Sequence, residues 1–336
     1  MSEPSPGRTV VITGATGALG PAVIRAFAAD RWQVRTLSRT PPSPHAPAAA
    51  HQHVVADITD VPALCRAMNG ADAVVHMAAL LHVFDWSSAL TAEYRRVNVQ
   101  GTSAVMAAAR DCSVPQVVAL SSVAVYGTHT QMVDEATVPV PDSPYGNSKL
   151  EAEAEALRGV SLDGKPLAAV LRLAAVYGPS VKGNYERLVR ALARGRFVQV
   201  GNGSNARTLA FEDDAAQAIL LAASRPDARG ATFNVTDGRI HTVREIIAAI
   251  TDALGQRPPR VSVPARLAVL GASSIEKAFG LAGRKSPVTK TTLDKYLEHV
   301  AVSGRRMQDA LGFQPRWTLR DGWRHTVEHL RREGRL

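Results

Sequence analysis

The chain has little cysteine, few aromatic residues and no long apolar run. Cys65 and Cys112 are its only cysteines, and neither has a CxxC partner or a set of metal ligands nearby, which excludes a disulfide scaffold. We expect both thiols to be buried and the compartment to be reducing cytoplasm. Because no stretch reaches about 18 uninterrupted apolar residues, we expect no membrane span. The start, "MSEPSPGRTVVITG", does not resemble a secretory signal.

The net charge is +9, but lysine and arginine are scattered through all segments. A nucleic-acid-binding protein usually concentrates such charge on one helix or face. We therefore expect no nucleic-acid partner, and a basic cleft for a small anionic substrate accounts for the charge equally well.

Short apolar runs alternate with helical patterns through the first half of the chain. Strand, helix and strand repeated in this order predict an α/β fold, a Rossmann-type doubly wound parallel sheet whose ligand lies at the carboxyl ends of the strands. The predicted strands are 9–13, 33–37, 53–56, 72–77, 116–120 and 168–173, and the predicted helices are 17–29, 60–69, 92–112 and 145–158.

The pattern changes after residue 177, where glycine and polar residues cluster and helices then dominate. We expect residues 1–177 to form a dinucleotide-binding domain whose sheet is completed by about 208–237. Residues 178–207 and 238–336 then form a smaller, mostly helical substrate lobe, with 242–254 as its clearest helix.

The segment "TGATGALG" follows the first strand and opens a helix. Its glycines Gly14, Gly17 and Gly20 lack a Cβ, so backbone N–H groups and the helix N-terminus can approach a pyrophosphate. The alternative is a helix that merely has glycines in its first turn. Because the segment follows the first strand of a βαβ unit, it predicts a dinucleotide site.

The end of the second strand normally contacts the adenosine ribose of such a cofactor. Here it contains Ser38 and Arg39 and no acid, which favours NADP mildly over NAD, since an arginine accepts a 2′-phosphate. Arg39 could also be a solvated loop charge. Asp57, after the third strand, could accept a hydrogen bond from the adenine amino group or could cap a helix.

The segment "SPYGNSK" places Tyr145 and Lys149 four residues apart. One interpretation is a well-capped surface helix, with Ser143 as N-cap and Pro144 in the first turn. The other is a catalytic phenol with an ammonium on the same helix face.

The phrases "TGATGALG", "ADITD", "VVHMAA", "NVQGT", "LSSVAVYG", "YGNSK" and "LRLAAVYGP" follow one another along the chain. In this order they resemble the extended short-chain dehydrogenase/reductases, in particular the NAD-dependent epimerase/dehydratase branch, which acts mostly on nucleotide sugars. The later "GNGSNARTLAFEDDAAQA" is similar to a stretch of that branch, and the resemblance covers about residues 8–328.

The resemblance implies a catalytic tyrosine at Tyr145, a lysine at Lys149 and a serine at Ser122, with Ser121 as the second choice. The ammonium of Lys149, together with the positive nicotinamide of the oxidised cofactor, is expected to lower the pKa of the Tyr145 phenol from its usual value of about 10. Ser122 and Tyr145 would also contact the substrate.

The same resemblance implies the other binding residues and an assembly. The cofactor would meet Gly14, Thr16, Gly17, Ala18, Leu19, Arg39, Asp57, Ile58, Ala78, Ala79, Asn98, Tyr145, Lys149, Ala174 and Val176. Asn184 and Arg207 would bind the substrate, Arg207 at its diphosphate, unless Arg207 pairs with Glu212, Asp213 or Asp214. A homodimer through the helices at 92–112 and 145–158 is expected.

Three departures from the family pattern limit which of the family's reactions are expected. Val123 and Ala124 replace the Asp-Glu pair of dehydratases, "LRL" and Ala174 replace "LRP", and Arg39 is less common where NAD is held permanently. An epimerase or a ketoreductase acting on a nucleotide sugar is therefore expected. The alternatives are a steroid- or flavonoid-type reductase and a non-enzymatic dinucleotide sensor.

A zinc-peptidase-like phrase, "HTVEH" at 325–329, lacks a downstream third ligand. We expect the solvated face of a terminal helix there, and no metal.

Overall fold

The computed structural model describes residues 7–44, 46–81, 88–180, 183–259, 261–271 and 290–336. Seven strands form its main sheet: β1 (Thr9–Thr13), β2 (Gln33–Ser38), β3 (Gln52–Val55), β4 (Ala73–His76), β5 (Val117–Ser122), β6 (Ala168–Leu173) and β10 (Thr232–Val235). Their order is β10-β6-β5-β4-β1-β2-β3, and every pairing is parallel. The predicted doubly wound parallel sheet is confirmed.

Helices cover both faces of this sheet. The described helices are α1 (Gly20–Ala29), α2 (Val61–Met68), α3 (Ser88–Tyr94), α4 (Gly101–Asp111), α5 (Pro144–Arg158), α6 (Asn184–Ala193), α7 (Glu212–Ser224), α8 (Val243–Leu254), α9 (described over 265–271), α10 (Lys290–Leu297), α11 (Arg305–Leu311) and α12 (Leu319–Arg332). One buried apolar cluster joins α1, α7 and α11 to one face, and another joins α2, α4 and α5 to the other. Within the described ranges no helix has the length and apolarity to cross a bilayer.

The direction of winding reverses between β1 and β4, which are neighbours in the sheet. At such a reversal the connections leave toward opposite faces, so a crevice opens beyond the carboxyl ends of the two strands. The glycine-rich segment follows β1, and Ala78 and Ala79 follow β4, so both segments reach this crevice.

The second lobe has its own small sheets. β7 (Ala175–Tyr177), β9 (Ala206–Phe211) and β11 (Ile240–Thr242) form one, and β8 (Gln199–Val200) pairs with β12 (Ser262–Val263) in the other. Its core centres on the fully buried Trp323, whose ring stacks on Tyr177 at 4.4 Å. Only β10 of the segment 208–237 joins the main sheet, because β9 pairs with β7 and β11 instead.

Two local expectations need correction. The helix expected over 92–112 is divided into α3, a π-helical stretch at Arg95–Gln100, and α4. Cys65 and Cys112 are half-buried rather than buried, because each lies at the outer edge of its helix, where Cys112 Sγ contacts the Cys65 carbonyl oxygen at 3.6 Å. Burial nevertheless raises the pKa of the Cys112 thiol to about 11.

Candidate active site

The glycine-rich segment forms a tight loop between β1 and α1. Gly14 has φ of 70°, and a Cβ there would lie 2.7 Å from the Ala78 backbone nitrogen. A Cβ at Gly20 would lie 1.9 Å from the carbonyl oxygen of Ala15. Both positions therefore require glycine, which allows the loop to lie close to the strand end and to present the α1 N-terminus to a ligand.

A cavity of about 740 Å³ lies over this loop at the predicted edge of the sheet. Its lining includes most of the predicted cofactor residues: Gly14, Thr16, Gly17, Ala18, Leu19, Arg39, Asp57, Ile58, Ala78, Ala79, Tyr145, Lys149, Ala174 and Val176. Both candidate serines, Ser121 and Ser122, line it as well. An elongated ligand could therefore contact the glycine loop and the tyrosine together.

At one end of the cavity lie the two residues considered for the adenosine. Arg39 is exposed at the rim. Asp57 accepts hydrogen bonds from the Thr59 backbone and hydroxyl and pairs with Arg96 at 3.2 Å. Burial opposes ionisation of Asp57, but these partners outweigh it and hold the pKa of its carboxyl below the usual value. Asp57 is not the helix cap considered as an alternative, because Asp60 caps α2.

At the other end lie Tyr145, Ser122 and Lys149. The Ser143 hydroxyl caps α5 by accepting a hydrogen bond from the Gly146 backbone at 3.1 Å, and Pro144 occupies the first turn, as predicted. The helix therefore begins where it brings Tyr145 into hydrogen-bonding reach of the Ser122 side chain on β5.

The lowering of the Tyr145 pKa that is expected with an oxidised nicotinamide stays a prediction, and the protein alone shifts this pKa in the opposite direction. Burial raises the pKa of Tyr145 to about 12, and the hydrogen bond with Ser122 offsets only part of that rise. Lys149 donates to the Leu120 carbonyl oxygen at 2.6 Å, and burial lowers the pKa of its ammonium to about 8. At neutral pH the phenol is thus protonated, and a further positive charge is needed before it can act as a base.

Asn98 supports the cavity from behind and does not line it. Its side-chain amide donates to Ser148 at 2.9 Å and accepts from the Leu80 backbone at 2.7 Å, so it ties α5 to the loop after β4. The π-helical stretch carries this buried side chain, so the expected direct contact of Asn98 with the cofactor is replaced by support of the cavity wall.

Sequence reasoning missed His76, which links the glycine loop to α4. Its Nδ1 lies 2.9 Å from the Thr13 hydroxyl and its Nε2 lies 3.0 Å from the Thr102 hydroxyl. Burial, followed by the charge of Lys149, lowers the pKa of His76 to about 3, so the ring is neutral. Its place at the end of β4, in "VVHMAA", was the available signal.

A second missed feature is the buried pair of Glu153 and Arg172. Glu153 follows Lys149 by one helical turn, accepts a 2.5 Å hydrogen bond from Ser121 and forms a 2.7 Å salt bridge with Arg172. This bond occupies the Ser121 hydroxyl, which leaves Ser122 as the serine beside Tyr145.

Arg207 and Asn184 lie outside the cavity lining. The Arg207 guanidinium donates to the carbonyl oxygens of Lys295, Tyr296 and Glu298 at the end of α10. The alternative ion pairs are absent among the described residues, since Glu212 and Asp213 contact Arg25 and Asp214 accepts from the Arg316 and Trp317 backbone. Asn184 is exposed at the start of α6.

The terminal histidines lie on α12, as expected. His329 contacts Glu333 at 3.1 Å, and His325 lies against the Trp317 ring. In the described part of the chain, no three histidine, cysteine or carboxylate side chains are grouped to hold a metal.

A family model for the NAD dependent epimerase/dehydratase family matches residues 10–236, more than half of the chain. The chain belongs to this family. This member of the NAD-dependent epimerase/dehydratase family is therefore an enzyme of the extended short-chain dehydrogenase/reductase type.

Three relatives show what this family member is similar to. It is 28% identical over 95% of its length to 94% of "N-acetyl-alpha-D-glucosaminyl-diphospho-ditrans,octacis-undecaprenol 4-epimerase" of Escherichia coli O157:H7. It is 28% identical over 92% of its length to 86% of "3 beta-hydroxysteroid dehydrogenase/Delta 5-->4-isomerase" of Mycobacterium tuberculosis. The solved structure "MoeE5 in complex with UDP-glucose and NAD" superposes with a TM-score of 0.76 at 27% identity, over 97% of this chain and 99% of that one.

Proposed function

We propose that the enzyme transfers hydride between a nicotinamide cofactor and a secondary alcohol or ketone of a sugar that is carried on a diphosphate. One observation carries the proposal: Tyr145, in hydrogen-bonding reach of Ser122, lines the same cavity as the glycine loop. The names of the relatives, which include a sugar-diphosphate epimerase and a complex with UDP-glucose, support this substrate class.

The residues fit a dinucleotide, because a Cβ at Gly14 would close the approach to the strand end that a pyrophosphate needs. The bound nicotinamide supplies the hydride acceptor and, when oxidised, a positive charge. Tyr145, protonated in this structure, gives a proton to the substrate oxygen during reduction and takes it back during oxidation. Ser122 orients that oxygen, and the Lys149 ammonium favours the phenolate.

The reaction is an epimerisation or a one-step ketone reduction. Dehydratases of the family carry an Asp-Glu pair directly after the serine to eliminate water, and Val123 and Ala124 stand there instead. An epimerase retains its cofactor while hydride returns to the other face, whereas a reductase exchanges it. Arg39 at the rim favours NADP, because it can accept a 2′-phosphate.

A nucleoside diphosphate is the first candidate for the carrier of the sugar. A polyprenol is the second candidate, and it is favoured by exposed valine and leucine side chains in the second lobe. The resemblance assigned Arg207 to the diphosphate, and this role requires the guanidinium to exchange its present carbonyl partners for phosphate oxygens. Asn184 is proposed to face the sugar.

A homodimer is proposed through α4 and α5, which lie side by side on one sheet face. Small exposed or half-buried residues such as Ser103, Ala107 and Ala154 allow close helix approach on their outer sides. A monomer mass by light scattering at micromolar concentration would contradict this assembly.

Thermal unfolding tests which diphosphate carries the sugar. With cofactor present, UDP or dTDP should raise the Tm of the wild type, because a ligand that binds only the folded state stabilises it. Undecaprenyl diphosphate in detergent tests the second candidate in the same way. If neither kind of diphosphate shifts the Tm, the diphosphate-linked substrate is wrong, and an uncharged ketone, as for the steroid-type relative, takes its place.

A further inference from the structure

The second lobe, which we call the outer lobe, exposes a group of aliphatic side chains. Val198, Val261 and Leu267 are 54%, 70% and 60% exposed, and Leu270 is 65% exposed. Single exposed apolar residues are common on soluble proteins, whereas a group of them marks an interaction surface.

The fold brings these side chains together. β8 and β12 are parallel, with Gln199 opposite Ser262, so the preceding residues Val198 and Val261 are neighbours across the two strands. The helical residues 265–271 follow β12 at once, and the Ala265 side chain lies 3.9 Å from the Cβ position of Gly201, directly after β8. We call the surface formed by Val198, Val261, Leu267 and the segments around them, 194–205, 253–259 and 261–271, the outer face.

The outer face is basic and contains no acid. The two segments that form it, 194–205 and 253–271, have no aspartate or glutamate in the sequence. Arg194, Arg196, Arg257 and Arg266 are exposed, and none forms a salt bridge with a carboxylate of the described residues. Some other exposed arginines have such a partner, as Arg110 has in Asp111.

Arginines beside protruding aliphatic side chains suit an anionic lipid surface. The arginines are attracted to the negatively charged headgroups, while valine and leucine enter the boundary between headgroups and acyl chains. Nucleic acid fits less well, because it favours exposed aromatic side chains that stack on bases, and the exposed apolar residues here are aliphatic.

The outer face is connected to the loop that follows the catalytic serine. Phe197 packs against Tyr296 with ring centroids 6.4 Å apart, and the Leu297 side chain lies 3.5 Å from the Cβ position of Gly201. Glu298, next along the chain, accepts a hydrogen bond from Thr128, which lies six residues after Ser122. A bilayer at the outer face would therefore contact the lobe that borders the cavity.

We propose that the outer face docks the enzyme on an anionic lipid membrane. Docking brings the cleft to substrates held in or near the bilayer. The proposal goes beyond the hydride-transfer chemistry and does not depend on it, because dinucleotide binding and turnover in solution can be measured without lipid.

The test is sedimentation of the full chain with vesicles of phosphatidylcholine mixed with phosphatidylglycerol, compared with phosphatidylcholine alone. We expect binding to the mixed vesicles to be at least about tenfold stronger and to weaken with added salt. Two double variants separate the contributions, Val261→Ser with Leu267→Ser and Arg257→Gln with Arg266→Gln, and each should lower binding by at least about fivefold.

Matched controls are Leu162→Ser, an aliphatic side chain 75% exposed on the other domain, and Arg66→Gln, an exposed arginine of α2. Both should bind vesicles like the wild type. Absence of wild-type binding, or equal loss in the controls, would overturn the proposal. So would a fall in oligomer mass without lipid in the Val261 and Leu267 variant, since the outer face would then join two copies of the chain.

Discussion

The main sheet and the outer lobe use their charged side chains in opposite ways. Near the cavity, Arg172 and Glu153 are buried and paired with each other, and the neutral His76 ring lies between two threonine hydroxyls. On the outer face the arginines point to solvent beside exposed aliphatic residues. The first arrangement holds reacting groups in fixed positions, and the second leaves a surface that can meet a partner. Changes to the buried groups around the cavity should therefore affect chemistry or folding, and changes on the outer face should affect binding.

The largest effect is expected at Tyr145. Tyr145→Phe keeps the ring but removes the transferable proton, so turnover should fall at least about 10²-fold with cofactor affinity nearly unchanged. The control is Tyr94→Phe, whose ring lies 6.0 Å away and whose hydroxyl donates to the Leu81 carbonyl oxygen. Steady-state kinetics should show the control within a fewfold of wild type. Similar losses of turnover in both variants would mean that disturbed packing, and not the loss of proton transfer, causes the effect.

Lys149→Met should reduce turnover but stabilise the fold. Because the folded-state pKa of Lys149 is lowered to about 8 from 10.5, its buried charge costs about 3 kcal/mol below pH 8. Between pH 8 and 10.5 the unfolded chain binds the extra proton, so wild-type stability should rise in this window. The variant should lack that rise and gain about 1–3 kcal/mol at pH 7, less the lost hydrogen bond to Leu120.

Urea unfolding at several pH values measures this effect. Lys165→Met, on the surface, is the control and should keep the rise in stability between pH 8 and 10.5. If the Lys149→Met protein is less stable than wild type at pH 7, the lysine stabilises the folded state, and the predicted cost of burying its charge is contradicted.

Arg207→Ala distinguishes a structural arginine from a ligand-binding one in the lobe. The guanidinium donates to three carbonyl oxygens at the end of α10, so its loss should cost about 2 kcal/mol and lower the Tm. Arg239→Ala, an exposed arginine of the same lobe, should not lower it. A strong rise in KM with an unchanged Tm would instead place Arg207 at the substrate diphosphate.

The smallest effect is expected at Arg39, because it is exposed. Arg39→Asp should weaken NADP binding by about tenfold and spare NAD, since one charge-assisted contact to the 2′-phosphate is replaced by repulsion. Titration of both cofactors measures it, with Arg66→Asp as the control. Equal affinities before and after the change would make Arg39 a loop charge only.

Features that depend on local pattern could be predicted from the sequence. The strands of the first half, the glycine loop and the start of α5 depend on apolar alternation, on small residues in a tight turn and on a serine cap, all within a few neighbouring residues. Parallel strands then bring their carboxyl ends to one edge, which predicted where the cavity lies, whereas most of its lining residues were named from the family resemblance.

Features that depend on distant partners could not be predicted. The carbonyl partners of Arg207 come from a helix about ninety residues downstream, and β9 pairs with a strand that local pattern cannot specify. In the protein alone, burial raises the pKa of Tyr145, and local sequence pattern does not specify this burial. The pairing of Glu153 with Arg172 likewise joins α5 to β6 across nineteen positions.

The most direct test of the account is to identify the dinucleotide that this chain binds. The purified protein is denatured and any released nucleotide is identified by mass spectrometry, and the undenatured protein is titrated with NAD and NADPH. The account predicts either a dinucleotide retained in proportion to the protein, as in an epimerase, or an empty protein that binds NADPH, as in a reductase. A folded protein that neither releases nor binds a nicotinamide dinucleotide would contradict it.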